Sequence, residues 1–271
     1  MPLDPPDEAI DQPNVARIYD YAIGGDANFA ADRAAYEALA DLYPDAALGA
    51  QANRAFLRRA VTFLARHGVA QFLDIGSGLP TVGNVHEVAR RANPRAHIVY
   101  VDNDPVAVRY SRELLAEEGD GARDIAVIEA DLRDPAAILG HPTARHLLDL
   151  RRPLALLLVA VLHFVLDDDE ARHAVGAFRE ALAPGSYIVL SHGTLDGLPA
   201  DVIAHFEAIY RRSSNPTIAR SRARIEALFE GLAVVEPGIV PTPLWRPDAT
   251  HDPLADQPVR AGILAGVGRK P

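Results

Sequence analysis

The residues best placed to do chemistry in this sequence are an acid and two glycines that follow a short apolar run. Asp74 ends the run, and Gly76 and Gly78 come directly after it with Ser77 between them. Glycine adopts backbone angles that other residues avoid, so a ligand can touch main-chain N–H groups at such a turn. An acid beside the turn disfavours a pyrophosphate and suits a ligand with a cationic ammonium group. The alternative is a tight turn without a ligand, because a lone Gly-x-Gly is weak evidence.

Two further acids end the next two apolar segments. Asp102 lies 26 residues after Gly76 and is followed by Asn103, and Asp131 is followed by Leu132. A carboxylate at the end of a second strand can accept hydrogen bonds from ribose hydroxyls, in nucleotide-binding α/β folds generally. Asp131 can accept from the exocyclic amine of adenine, while the Leu132 backbone can pair with a ring nitrogen. We expect all three acids to share one edge of a parallel sheet.

The elements that must position these acids alternate between strands and helices. The segment 154–162 is apolar on both faces, which is typical of a central parallel strand. A helix capped by Thr81 follows the glycine turn, and a second helix begins at Pro105. The full set of predicted strands is 71–74, 97–102, 125–130, 154–162, 186–192, 233–240 and 260–270, with further helices at 46–67, 135–150, 199–212 and 217–230.

The amino-terminal segment has an unusual density of polar and aromatic side chains. Residues 1–12 are predicted to be a disordered tail, and Asn14 can cap a short helix over 15–22. The following stretch could cover a ligand site, or it could be a helical hairpin that packs its tyrosines on the core. Its candidate residues are Tyr19, Tyr21, Asn28 and Phe29, around the glycine pair 24–25.

Composition restricts the class of protein. Of 271 residues, 49% are hydrophobic and 24% charged, as in a globular protein with a sizeable core. The net charge of −10 disfavours non-specific binding to nucleic acid or acidic membranes. The start of the chain is acidic, unlike the basic start of a secretory signal. The longest apolar run of the whole chain falls well short of the roughly 20 residues of a membrane span. There is no cysteine, and no histidine pair has the spacing of a zinc helix. We therefore expect a cytoplasmic protein without a metal.

The order of these motifs resembles that of class I S-adenosylmethionine-dependent methyltransferases. DIGSG, VYVDND, EADLRD, an apolar strand and SYIVLSH follow one another over roughly 55–195. More closely, ARIYDYAIGGDANFAADR and DIGSGLPTVGNVHEVA are similar to an actinobacterial methyltransferase family without an assigned substrate. The resemblance implies an α/β Rossmann-like fold with a mostly parallel seven-stranded sheet. It also implies an antiparallel last strand, helices on both faces, a helical extension or lid over 13–68 and a methyltransferase domain over 69–271.

The same resemblance implies roles for the candidate residues. Gly76, Ser77 and Gly78 would lie against the methionine part of S-adenosylmethionine, Asp102 with Asn103 would hold the ribose, and Asp131 with Leu132 would read the adenine. In related enzymes an amino-terminal extension covers the cofactor and shapes the acceptor pocket, so Tyr21 is assigned to the cofactor. Tyr19, Asn28 and Phe29 are assigned to the acceptor or lid.

A possible base follows the fourth strand. VLHFVLDDDE resembles the segment of small-molecule O-methyltransferases in which a histidine deprotonates the acceptor, which marks His163. The alternative is that His163 packs at the strand end, since the tryptophan that often follows in those enzymes is Val165 here. Arginines near the joint of the two late helices, Arg211, Arg212 and Arg220, could meet an acidic substrate or simply face solvent.

The resulting expectation is methyl transfer to a small molecule, for example an O-methylation in secondary metabolism, with S-adenosylhomocysteine as the product. A nicotinamide-dependent oxidoreductase is an alternative, although Thr81 stands where its fingerprint needs glycine and Pro80 removes a backbone donor. A protein that binds the cofactor without turnover is another, because cofactor-binding residues can persist without chemistry.

Overall fold

The structure is a computed structural model that describes residues 11–79, 83–197, 216–248 and 253–271. Predictions that fall in the gaps, namely most of the tail 1–12, the Thr81 cap and the helix at 199–212, lie outside the described residues. The described helices are α1 (Val15–Ala22), α2 (Ala30–Leu42), α3 (Ala46–Arg66), α4 (Val85–Ala92), α5 (Pro105–Glu117), α6 (Pro135–Gly140), α7 (Pro142–Leu147), α8 (Asp168–Ala181) and α9 (Arg222–Ala227). The strands are β1 (Gln71–Ile75), β2 (His97–Asp102), β3 (Ile125–Glu129), β4 (Ala155–Val159), β5 (Tyr187–Gly193), β6 (Ala233–Val234), β7 (Val240–Pro241) and β8 (Ile263–Arg269).

One mixed sheet organises these elements. Its strand order is β3-β2-β1-β4-β5-β8-β6, and β7 also pairs with β8. The pairs from β3 to β5 are parallel, and β8 runs antiparallel to β5. The predicted fold class is therefore confirmed, with eight strands instead of seven. The extra strand arises because the segment 233–240 turns at 236–238 and pairs with β8 twice.

Alternate residues of each central strand enter different hydrophobic cores. Leu73, Val99 and Leu156 contribute to one core, whereas Phe72 and Ile98 contribute to the other. This follows from the period of two along a strand, which places successive side chains on opposite faces. Both faces are covered, so the strand ends at one edge are the natural place for a ligand.

Helix α3 belongs to the body of the fold. Phe56, Val61 and Leu64 are fully buried and pack in the same core as Phe72 of β1. Ahead of it, α1 and α2 form a helical hairpin, which is one of the two alternatives for this segment. The side chain of Asn14 caps α1 by accepting hydrogen bonds from the backbone N–H groups of Ala16 and Arg17, as predicted.

Two elements near the site differ from the predicted ones. The strand predicted over 154–162 ends at Val159, since Ala160 has a φ of 54° and a short 3-10 turn follows at Leu162–Phe164. Helix α9 begins only at Arg222, because the backbone before it is used in tertiary contacts. The Ile218 N–H donates to the His163 carbonyl at 2.9 Å, and the Arg220 N–H donates to the Gly193 carbonyl at 3.1 Å.

Candidate functional site

A cavity of about 1480 Å³ opens at the carboxyl edge of the parallel strands. It brings together nine residues predicted from different parts of the chain, together with Tyr19 from α1. The nine are Asp74, Gly76, Ser77, Gly78, Asp102, Asn103, Asp131, Leu132 and His163. Among the described residues, no group of three or more His, Asp, Glu or Cys side chains could hold a metal ion.

The glycine turn needs its glycines. Gly76 and Gly78 have φ values of 70° and 61°, where other residues are strained. A β-carbon at Gly76 would also lie 2.3 Å from a methyl group of Val161, in the turn that carries His163. The Oγ of Ser77 is buried and makes no hydrogen bond to the described protein. Such an orphaned polar atom in a cavity wall fits a site that a polar ligand completes.

Asp74 is buried at the end of β1. Its pKa is raised to about 7, mainly by burial; the Arg54 guanidinium acts against this shift, and nearby Asp102 adds to it. An ammonium group beside Asp74 would favour its charged form and reverse this shift. The electrostatics therefore match the cationic ligand that the sequence predicted.

Asp102 connects the glycine turn to the second strand. Its Oδ2 accepts from the Gly78 N–H at 2.7 Å, and its Oδ1 accepts from the Asp104 N–H at 2.9 Å. Burial is the main reason that its pKa is raised. Each carboxylate oxygen has two acceptor sites, so Asp102 retains acceptor capacity for a ligand hydroxyl.

Asp131 lies on the cavity wall but shares its carboxylate with a neighbour. Its Oδ1 accepts from Arg133 Nε at 2.9 Å, and Oδ2 also accepts from the same guanidinium. Those hydrogen bonds are the main reason that the Asp131 pKa is lowered. A ligand amine at Asp131 would share the carboxylate with Arg133.

Three predicted residues do not line the cavity, because they hold the α1–α2 hairpin together. Tyr21 packs edge-on against Tyr36 with ring centres 5.2 Å apart. Asn28 Nδ2 donates to Asp20 Oδ2 at 3.0 Å and to the Gly25 carbonyl at 2.9 Å. Phe29 caps α2 through its backbone N–H and lies under the Arg17 guanidinium. The hairpin alternative describes these residues, whereas Tyr19 does face the cavity.

His163 lies in the turn after β4 and contacts Phe164 and His192 with ring centres at 4.4 and 5.8 Å. Its ring is enclosed by protein except on the cavity side. This enclosure, followed by the effects of His192 and Arg220, lowers its pKa to about 3. His163 is therefore neutral at ordinary pH.

Arg220 does not face the cavity as the acidic-substrate hypothesis requires. Its side chain is 1% exposed and pairs with Asp168 at 2.7 Å. It also donates to the carbonyls of Leu162 and Val165, at 2.9 and 2.7 Å, on either side of His163. Because the guanidinium also donates to Nε2 of His192 at 2.7 Å, His192 must be the neutral tautomer that carries its proton on Nδ1. Arg220 thus stabilises the turn that carries His163. The other two candidate arginines, Arg211 and Arg212, lie outside the described residues.

Helix α3 supplies two site residues that the sequence reasoning missed, Asn53 and Arg54. Asn53 Nδ2 donates to the Tyr19 hydroxyl at 3.1 Å, and its Oδ1 accepts from the Ser191 hydroxyl at 2.7 Å. Ser191 in turn accepts from the Ala160 N–H at 3.0 Å, so the chain of bonds links α1 to the turn of His163. The signal in the sequence was an amide within the buried apolar stripe of α3.

Comparison with known proteins identifies the chain. The family model for S-adenosyl methyltransferases matches residues 5–271. The chain belongs to this family. It is an S-adenosylmethionine-dependent methyltransferase, which confirms the resemblance seen in the sequence and rules against the oxidoreductase alternative.

Two solved structures are similar to this methyltransferase over nearly their whole length. A candidate methyltransferase from Thermobifida fusca YX is 44% identical, with a TM-score of 0.89 and 98% of both chains covered. A DUF574 family protein from Streptomyces avermitilis is 41% identical, with a TM-score of 0.88, over 97% of this chain and 99% of that one. An O-methyltransferase family protein from Burkholderia thailandensis, 17% identical with a TM-score of 0.52 over 83% and 59% of the two chains, shares the fold alone. No curated protein matches the chain.

The site of this methyltransferase fits the family's cofactor. S-adenosylmethionine presents an ammonium group, a ribose and an adenine. The cavity presents the buried Asp74 on β1, the Asp102 carboxylate with remaining acceptor capacity on β2, and Asp131 beside Leu132 just after β3. None of the helices in the described ranges combines the length and the hydrophobicity of a membrane-spanning segment.

Proposed function

We propose that this methyltransferase transfers the methyl group of S-adenosylmethionine to a hydroxyl group of a small molecule. The observation that carries the proposal is the convergence of three strand-end acids, one glycine turn and a neutral histidine on one cavity. Secondary metabolism is the setting that we propose for the acceptor. The cytoplasm is the proposed location, and the net charge of −10 argues against nucleic acid as the substrate.

In this proposal the cofactor lies along the strand ends. Asp74 binds the ammonium group, Asp102 with Asn103 binds the ribose hydroxyls, and Asp131 with Leu132 binds the adenine. Ser77 and the backbone of the glycine turn lie against the methionine part. Arg54 lines the cavity and lowers the pKa of Asp74, so it is placed to attract the carboxylate that accompanies the ammonium group.

His163 would act as the general base. S-adenosylmethionine would supply a sulfonium methyl group to the acceptor oxygen and would leave as the neutral thioether S-adenosylhomocysteine. The imidazole of His163 would take up the proton of the acceptor hydroxyl. Its low pKa keeps the imidazole unprotonated when the acceptor arrives.

Methyl transfer to a small-molecule hydroxyl differs from cofactor binding without turnover in the product that it forms. Incubation of the protein with methyl-labelled S-adenosylmethionine and an extract of small metabolites separates the two. Label in an organic-soluble product, absent with Asp102→Ala, supports transfer. Binding of S-adenosylhomocysteine by calorimetry with no labelled product across extracts would favour the binding protein. Absence of that binding would contradict the proposal itself.

A further inference from the structure

The cavity is larger than one ligand needs. Typical small-molecule pockets measure about 300–1,000 Å³, and this cavity measures about 1480 Å³. The strand-end acids line the part assigned to the cofactor. Much of the remaining wall comes from other elements, and it has room for an acceptor.

This remaining wall is mainly apolar. Ala35, Tyr36, Ala38 and Leu39 line the cavity and recur every three or four residues, so they form one face of α2. Apolar residues of α1 and of the segment after β4 continue the surface, among them Ile18, Ile23, Phe164 and Leu166. An acceptor that fills this space must have an apolar body.

The charged groups on the wall are mostly of one sign. The described lining contains eight carboxyl groups and two guanidinium groups. Besides the three acids at the strand ends, the carboxyl groups are those of Asp20, Asp41, Asp104, Asp167 and Glu170. One guanidinium, Arg133, is bound to Asp131, and the other, Arg54, acts on Asp74.

Three arginines of the described segment 216–248 that could have paired with an acidic acceptor instead bind protein groups. Arg220 is buried in its bonds to Asp168 and to the His163 turn. Arg224 also binds Asp168, and Arg222 donates to the Ile239 carbonyl. Along the described ranges, only Arg54 and Arg133 bring a fixed positive charge to the wall of the cavity.

An anionic acceptor would therefore meet two penalties. It would lose the hydration of its carboxylate against an apolar surface, and it would approach an excess of negative charge. A hydroxyl or an amine on the same body avoids both, and an ammonium group would be attracted. We infer that the acceptor is an uncharged or cationic molecule with an apolar body, and that the cavity rejects carboxylates. This inference rests on the proposed function and specifies its substrate class.

Three probes of equal length test the inference: 3-phenylpropanol, 3-phenylpropylamine and 3-phenylpropanoate. Each is titrated by ligand-observed NMR into protein saturated with S-adenosylhomocysteine, whose binding is established first by calorimetry. We expect the alcohol and the amine to bind at least ~10-fold more tightly than the carboxylate. Equal or tighter binding of the carboxylate overturns the inference, as does failure of both other probes to bind at millimolar concentration. If S-adenosylhomocysteine itself does not bind, the proposed function fails instead.

Two matched double variants show whether the charges on the cavity wall or the net charge of the protein cause the preference for the alcohol over the carboxylate. Asp41→Asn with Glu170→Gln removes two exposed charges from the cavity wall, whereas Glu113→Gln with Glu117→Gln removes two exposed charges from α5 away from it. We expect the first pair to narrow the preference for alcohol over carboxylate by ~3-fold and the second to leave it unchanged. Equal narrowing by both pairs would assign the discrimination to net charge and overturn a selective cavity.

Discussion

At the scale of single residues, burial controls which side chains carry charge in this cavity. Burial raises the pKa of Asp74 to about 7 and lowers that of His163 to about 3. Both groups are therefore held towards their neutral forms. A cationic cofactor changes that balance, because it favours the charged carboxylate and further disfavours the imidazolium.

Asp74→Asn should separate the binding of the cofactor's amino-acid part from that of its nucleoside. We expect weaker binding of S-adenosylhomocysteine and unchanged binding of 5′-methylthioadenosine, which lacks the amino-acid group. In the wild type, affinity for S-adenosylhomocysteine should rise as the pH rises through about 7, where Asp74 ionises. Calorimetry from pH 5.5 to 8 measures both effects. A loss of methylthioadenosine binding in the variant would contradict this assignment.

Asp102→Ala should weaken binding of S-adenosylhomocysteine by about 1.5–3 kcal/mol, since charge-assisted hydrogen bonds to the ribose are lost. The Gly78 N–H also loses its acceptor, so part of the effect comes from the turn. Calorimetry with adenine alone serves as the control, because adenine has no ribose. Equal affinity of wild type and variant for S-adenosylhomocysteine would place the ribose elsewhere.

His163→Gln should reduce turnover by about 10²–10⁴-fold while affinity for S-adenosylhomocysteine is retained, as expected on loss of a general base. His146→Gln, an exposed substitution on α7, is the control. Because the pKa of His163 is about 3, its protonation should not limit the wild-type rate between pH 5 and 8. The base role would be refuted by a variant that binds the cofactor poorly but turns over normally at saturation.

At the scale of elements, the α1–α2 hairpin forms a wall of the cavity and depends on buried polar contacts. Arg17 Nε and Asp32 Oδ2 are 2.7 Å apart, and both side chains are at most 2% exposed. Ala16 packs on the glycine turn, since a β-carbon at Gly78 would lie 3.8 Å from the Ala16 methyl group. The hairpin and the glycine turn are therefore in direct contact.

Arg17→Met should loosen the hairpin and weaken cofactor binding. Removal of one partner leaves a buried charge unpaired, which costs about 3–5 kcal/mol. We expect hydrogen exchange to increase in α1 and α2 but not in the sheet, together with weaker binding of S-adenosylhomocysteine. Arg172→Ala removes an exposed ion pair with Asp169 and should change neither. Unaltered cofactor affinity with a loosened hairpin would show that the hairpin is not needed to hold the cofactor.

At the scale of the whole molecule, the segment 216–220 joins the late part of the chain to the His163 turn. Arg220 and the two backbone bonds from this segment connect β5, the turn after β4 and the start of α8. His192 lies at the centre, and burial is the main reason that its pKa is lowered to about 4. Acid should therefore destabilise the fold through this junction.

Stability should fall as the pH drops from about 6.5 towards 4, because unfolded histidines take up protons that His163 and His192 cannot hold when folded. Because of one or two such protons, the free energy of unfolding should fall by about 1–3 kcal/mol more for each pH unit in this range. The double variant His163→Gln with His192→Gln should lose less stability than the wild type as the pH falls. Urea titrations at each pH measure this slope. An unchanged slope would contradict the assignment of neutral histidines. Asp74 acts in the opposite sense, since its raised pKa stabilises the fold below pH 3.8 and this contribution is lost as the pH rises to about 7.

Local sequence determined the elements and the residues at their ends. The alternation of strands and helices, the Asn14 cap and the acids at the ends of β1 and β2 were all readable, because caps, turns and periodicity act over a few residues. The same local signals place Asp131 just beyond β3 and His163 just beyond β4. These residues are therefore expected at one edge of the sheet, because the carboxyl ends of parallel strands meet there.

Tertiary structure alone decided which side chains turn into the cavity. The α1–α2 hairpin uses the side chains of Tyr21, Asn28 and Phe29 in its own contacts. Helix α3, which precedes the sheet in the chain, instead contributes Asn53 and Arg54 to the cavity wall. Arg220 looked like a surface charge and is buried, because Asp168 and carbonyls more than 50 residues away supply its partners. Such choices depend on contacts between distant segments, whose packing a short sequence window does not contain.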